Sequence, residues 1–191
     1  PSPAARRSTV IASITERAFQ VTDTARNVLS GHSEHRPLLT NPEVLEALAH
    51  PVRLDLLTYL MSAGPATAST CARAVGDTPS NCSYHLRTLA GHGLAEPVHS
   101  DDRRQRPWRA TITGFTIEPN VDPETPQGRS NAAVLSASLA LEQGLLRDYL
   151  ANRDQASDAW READNTSYYT ERVTPAELPE LNARIDELVR P

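Results

Sequence analysis

The chain has no lysine: all 19 basic residues among its 191 are arginine. Arginine forks phosphate and guanine with paired hydrogen bonds, but so uniform a bias reads first as the mark of a GC-rich genome. Hydrophobic residues reach only 39%, and 15 prolines punctuate the chain, which points to one ordinary domain with linkers and appendages. No apolar run approaches the roughly 18 residues of a membrane span. Arg6-Arg7 ahead of Ser8-Thr9-Val10-Ile11 faintly resembles a twin-arginine signal, yet Glu16-Arg17 cuts the apolar stretch short, so a cytoplasmic location is expected. A Gly-rich phosphate loop, a nucleophile elbow and a His-Glu zinc motif are all missing, and the scattered acids read as solvated helix faces. The expectation is a protein that is not an enzyme and carries no cofactor.

Metal ligands are equally sparse. His32 and His35 fall in a loop, His50 precedes a proline, and His92 lies between glycines, so no set has ligand spacing. The two cysteines, Cys71 and Cys82, fall on adjacent predicted helices and read as small apolar core residues. A thiol switch is the thinner alternative.

What is present is a continuous device in residues 64–109. Two short predicted helices, Thr67–Val75 and Pro79–Ala90, are separated only by Gly76-Asp77-Thr78. A hairpin follows: Leu94–Val98, an Arg-tipped turn over 101–106, then Trp108–Ile112. Helix, three-residue turn with glycine and second helix is the helix-turn-helix arrangement, whose second helix enters the DNA major groove. The hairpin makes it winged. In the second helix Thr78 supplies a cap and Pro79 a first-position proline. At 3.6 residues per turn Cys82, Leu86, Leu89 and Ala90 share one face, while Ser80, Asn81, Tyr84, Arg87 and Thr88 point the other way, with Ser83 and His85 on the flanks. That outer face holds hydroxyls, an amide and an arginine but no acid. Asn suits adenine and Arg suits guanine.

Residues 42–57, Pro42 through His50-Pro51-Val52-Arg53 to Leu57, together with Ser83-Tyr84-His85-Leu86-Arg87-Thr88-Leu89 and Gly93-Leu94, resemble the ArsR-type winged helix-turn-helix regulators. The resemblance covers about residues 40–117. It implies a dimeric transcription regulator that binds an inverted-repeat operator on double-stranded DNA and usually represses. It further implies groove contacts from Ser80, Asn81, Ser83, Tyr84 and Arg87, with Arg103, Arg104 and Arg106 at the wing. Arg53 and His85 are implied to brace the domain or touch phosphate. The Cys-x-Cys metal pair of many relatives is missing, because the first helix of the motif holds Cys71 alone.

A net charge of −5 looks wrong for a DNA binder, but its distribution decides. Residues 142–190 hold eleven acids and six arginines, which accounts for −5, whereas residues 103–109 hold four arginines and no acid. Binding follows the local field.

The expected fold class is mainly α with a small β wing: a winged helix-turn-helix domain at 40–117, an N-terminal helix in residues 1–39, and a helical C-terminal extension at 130–191. Ile11, Ile14, Ala18, Val21, Ala25 and Val28 give residues 8–30 a coiled-coil-like stripe. Residues 118–129, with three prolines and a glycine, read as a linker. Asn131–Leu150 reads as a helix apolar on two sides, suited to its own domain and a second subunit. Residues 166–173 suggest a strand, and Pro175–Val189 a final helix capped at Thr174. Trp160, Tyr168 and Tyr169 suit core packing, or the pocket of an unidentified small-molecule effector. A winged helix that binds protein rather than DNA is the competing reading.

Overall fold

Four helix starts in this chain are written as an oxygen-bearing cap, three of them followed by a proline, whereas the helix Pro51–Ala63 begins at His50-Pro51 with no side-chain cap. Asn41-Pro42, Thr78-Pro79 and Thr125-Pro126 follow that pattern, and Thr67 caps without one. Each cap closes as expected. Asn41 Oδ1 accepts from the Glu43 N–H at 2.9 Å, Thr67 Oγ1 from Thr70 at 3.2 Å, Thr78 Oγ1 from Asn81 at 3.2 Å, and Thr125 Oγ1 from Gly128 at 3.0 Å.

The computed structural model describes residues 8–14, 37–99, 106–163 and 167–189. In chain order the elements are β1 (Ser8–Ile14), β2 (Leu38–Leu39), α1 (Pro42–Leu48), α2 (Pro51–Ala63), β3 (Ala66–Thr67), α3 (Ala68–Val75) and α4 (Pro79–Gly91). Then come β4 (Ala95–Pro97), β5 (Pro107–Ala110), β6 (Thr116–Ile117), α5 (Pro126–Asn152), a 3-10 turn (Arg153–Gln155), α6 (Asp158–Ala163), β7 (Ser167–Val173) and α7 (Leu178–Val189). The chain divides into two compact units, Phe19–Ala151 and Pro1–Ala18 with Asn152–Pro191.

In the larger unit α3 and α4 stand on a leucine core. Leu45, Leu48, Leu56, Leu57, Leu86 and Leu89 are fully buried beside Cys71 and Cys82. Each such leucine contributes about 1.5–3 kcal/mol through removal from water. Gly76 closes α3 in the left-handed region at φ 71°, and the Asp77 N–H returns to the Ala72 carbonyl at 2.9 Å. Those bonds satisfy the carbonyls at the helix end and turn the chain sharply into α4. The wing is a three-stranded antiparallel sheet in the order β3-β5-β4, with Glu96 opposite Arg109. The larger unit is thus a winged helix-turn-helix, mainly helical with a small sheet, as the sequence predicts.

Two elements differ from the sequence expectation. Residues 8–14 form a strand rather than the start of a helix, paired antiparallel with β7 from Ser8↔Val173 to Ile14↔Ser167. Thr9, Val10, Ile11 and Ile14 are β-branched and favour a pleated backbone, and the partner strand lies some 160 residues away where local periodicity cannot see it. The rest of the predicted N-terminal helix lies outside the described residues. The second difference is the reach of α5, which begins at Pro126, inside the stretch that reads as a linker. Residues 118–125 fold back on its first turns: Asn131 Nδ2 donates to the Glu118 carbonyl at 3.0 Å and Gln127 Nε2 to Glu118 Oε2 at 2.9 Å. Gly128 is required there, because a Cβ would lie 2.0 Å from the Asp122 carbonyl oxygen.

In the smaller unit β7 appears where the sequence places it. α7 starts at Leu178, three residues later than expected, because Pro175–Glu177 form a turn. Only the glutamate half of the expected capping box is present: Glu177 Oε2 accepts from the Thr174 N–H at 2.6 Å and from its hydroxyl at 2.8 Å, and Thr174 does not cap α7.

Candidate nucleic-acid interface

α4 divides its faces sharply. Cys82, Leu86 and Leu89 are fully buried and His85 is nearly so. Ser80, Asn81, Tyr84 and Arg87 are exposed and Ser83 is half-buried. Tyr84 is 60% exposed, a large aromatic left in water on the outer face. Arg87 Nε donates to the Ser83 carbonyl at 2.9 Å, which lays the guanidinium along the helix and leaves its terminal nitrogens for a partner.

An open cleft of about 1130 Å³ runs between α3, α4 and the wing. Arg73 of α3, Ser83 and Arg87 of α4, and Arg106 with Trp108 of the wing line it, together with Thr70. No acid is among its described lining residues. Among the described lining residues the three guanidiniums meet no carboxylate, so together they contribute a local positive field in a chain of net negative charge. The structure therefore brings Ser83, Arg87 and Arg106 together, and leaves Ser80, Asn81 and Tyr84 on the neighbouring exposed face. Arg103 and Arg104 lie outside the described residues. The fourth wing arginine, Arg109, is neutralised by Glu96 across the strands at 2.6 Å.

Arg73, Trp108 and Asp77 escaped the sequence reading of the site. For Arg73 a signal existed: Cys71 and Ala72 bury the inner side of α3, so the next position swings outward by about 100°. Asp77 was visible only as a turn residue. Its carboxylate accepts from the Thr78 N–H and from Asn81 Nδ2, both at 2.6 Å, and these two bonds, the backbone one first, hold its carboxyl below the ordinary value.

Arg53 and His85 brace the domain. Arg53 donates Nε to the Ala47 carbonyl and Nη2 to the Glu46 carbonyl at 3.3 Å, tying the end of α1 to α2. His85 packs against His50 with ring centroids 4.6 Å apart, and the Nδ1 of each is buried without a partner. Burial first, then nearby Arg53, lowers the His50 pKa. For His85 burial again leads, followed by His50 and Arg53. The imidazoles are accordingly neutral, and they join α4 to the α1–α2 corner.

The thiols are held protonated. Burial, then Cys82, pushes Cys71 up to about 11, and burial followed by Asp77 raises Cys82. A protonated buried thiol is a poor nucleophile and a poor ligand. Among the described residues no group of three or more His, Cys, Asp or Glu side chains is placed to hold a metal ion, and no helix is long and apolar enough to cross a membrane. The side chains of Trp160, Tyr168 and Tyr169 lie outside the described residues.

A family model described as a helix-turn-helix domain matches residues 48–98. No curated protein matches the chain. Among solved structures, a transcriptional regulator homologue from Pyrococcus horikoshii OT3 is similar at 24% identity, over 52% of this chain and 87% of its own, with a TM-score of 0.32. YusO from Bacillus subtilis shares 19% identity over 78% and 83% of the two chains, with a TM-score of 0.33. A zinc-responsive MarR family member from Lactococcus lactis, ZitR, shares 13% over 75% of each chain, with a TM-score of 0.30. Scores this low leave the weight on the helix-turn-helix match and on the geometry. Residues 48–98 are a helix-turn-helix domain, and β3 and β4 within it, joined by β5 at Pro107–Ala110, make it a winged one.

Proposed function

We propose that the chain is a sequence-specific DNA-binding transcriptional regulator that reads the major groove with the exposed face of α4. The carrying observation is the cleft lined by Arg73, Arg87 and Arg106, with no acid among its described lining residues. Phosphate contacts from these arginines and Ser83 would fix register, while Ser80, Asn81 and Tyr84 meet base edges. Arg103 and Arg104 complete the wing in this reading. The resemblance carried by Pro42–Leu57 and Ser83–Leu94 implies an ArsR-type regulator acting as a repressor, by occupying an operator. No catalytic step, cofactor or membrane enters the mechanism, which is placed in the cytoplasm; a small-molecule effector would act through the C-terminal region.

The proposed working unit is a homodimer joined through α5. Val134, Ala137 and Leu141 of α5 pack on the core. Leu135, Leu139, Leu146 and Leu150, at 58%, 56%, 37% and 55% exposure, fall within an arc of about 60° on its outer side. In this reading a second copy meets this stripe, and the two α4 helices enter successive major grooves of an inverted repeat, about one DNA turn apart.

The test is selection from a random duplex library near physiological salt. An inverted repeat with half-sites about ten base pairs apart is expected. A folded protein that enriches no sequence, yet captures a protein partner through α4, supports the protein-binding reading instead. The overall charge of −5 is the observation in that reading's favour.

A further inference from the structure

The hydrogen bonds at the head of α4 form a chain that ends on the side chain of Asn81. Asp77 Oδ1 accepts from the Thr78 N–H at 2.6 Å, and Asp77 Oδ2 accepts from Asn81 Nδ2 at 2.6 Å. The Asn81 N–H in turn donates to Thr78 Oγ1 at 3.2 Å, so turn and first helical turn are locked together. Asparagine on a solvated helix face would ordinarily rotate about two side-chain torsions. Here a charge-assisted bond of short length fixes one orientation of its amide.

Two consequences follow for any surface laid against this end of the helix. First, one of the two Asn81 amide hydrogens is committed to the protein, so Oδ1 is the part of the group wholly available to a partner. Second, an ionised carboxylate lies beside it, where it attracts donors and repels acceptors. In the major groove adenine N6 and cytosine N4 are amino donors, while guanine O6 and thymine O4 are acceptors. A keto oxygen brought against Asn81 Oδ1 and Asp77 meets like partial charges. An amino group there is favoured twice.

Resting on the DNA-reading function above, we propose that Asp77 is a positioning and specificity-determining residue: it fixes the Asn81 amide so that the pair selects a base presenting an amino group, adenine or cytosine, and rejects guanine and thymine. Asp77 does this at a cost in general affinity, because its charge opposes the phosphates. That combination separates it from an ordinary contact residue, whose removal weakens binding to every sequence. It also separates it from a merely structural turn residue, whose loss lowers stability without altering which base is chosen.

The experiment is random-duplex selection with the full chain, its Asp77→Ala variant and its Asp77→Asn variant, beside thermal melts of all three. The asparagine variant keeps the size and the acceptor for Thr78, so it serves if the alanine variant folds poorly. The wild type is expected to enrich adenine or cytosine at one position of each half-site. In the variants amino-over-keto discrimination at that position falls about tenfold, while affinity for random duplex rises. Which of the two amino bases is selected reports whether the remaining Asn81 hydrogen takes part, as in paired adenine recognition, or not. Unchanged base choice at every position in both folded variants overturns the role of Asp77. A wild type that enriches no sequence overturns the DNA-reading function itself, and this inference with it.

Discussion

α4 and α5 share one core and turn opposite kinds of face outward. The 13-residue α4 buries Cys82, Leu86 and Leu89 and shows Ser80, Asn81, Tyr84 and Arg87 to solvent. The 27-residue α5 buries Val134 and shows Leu135, Leu139, Leu146 and Leu150. A polar face whose helix carries no acid of its own, with the single carboxylate of Asp77 at its head, and an apolar face at similar exposure suit different partners. Polyanions suit the first, and a second apolar surface suits the other.

That contrast can be broken from either side. Leu86→Ala on the buried face of α4 should cost about 2–5 kcal/mol of folding free energy and destroy binding only through unfolding. Chemical denaturation measures it, and a cost below about 1 kcal/mol would remove α4 from the core. On the outer face of α5, Leu139→Glu with Leu146→Glu should leave the melting curve nearly unchanged and convert dimer to monomer in sedimentation; persistence of a dimer moves the interface elsewhere. Adding a methyl at Gly128 drives a Cβ into the Asp122 carbonyl, so Gly128→Ala should cost about 1–3 kcal/mol through displacement of the 118–125 segment. Gly76 differs, since a Cβ there meets nothing within 4 Å and only its φ of 71° objects. Gly76→Ala should therefore cost about 1–2 kcal/mol, by left-handed strain alone.

The histidine pair adds a pH dependence that bears on α4 and not on α5. Burial lowers both values below the ordinary 6.5, so the unfolded chain binds protons more readily than the native one. This part of stability is intact above about pH 6.5 and is lost progressively as pH falls below it toward the folded values. Arg53 deepens the effect at both rings, and Asp77 opposes it at His85. Denaturation between about pH 7.5 and 5.5 should show the decline, and His85→Gln should flatten it; identical slopes for both proteins would place the acid sensitivity elsewhere.

Much of the larger unit was legible because its signals are local. Caps, first-position prolines, the Gly76 turn and the period of Cys82, Leu86 and Leu89 all act within a few residues. Non-local pairing was not legible: β1 depends on β7, and the start of α5 depends on Glu118 and Asp122 reaching back to it. The site was half visible. Ser83, Arg87 and Arg106 stand out from the α4 face and the wing, and they meet in the cleft. Arg73 had only a faint signal, the small apolar pair Cys71-Ala72 that marks the inner side of the short α3. Asp77 was hidden because its function resides in a bond to Asn81, which sequence cannot orient.

The most direct test of the central claim is the salt dependence of duplex DNA affinity for the wild type and for Arg73→Ala/Arg87→Ala/Arg106→Ala. Removing one arginine from a phosphate should lower the slope of log affinity against log salt by about 0.9. The cleft account predicts a folded variant whose slope is smaller by about 2–3, with weakened binding to all sequences. An unchanged slope and affinity in the folded triple variant would contradict it.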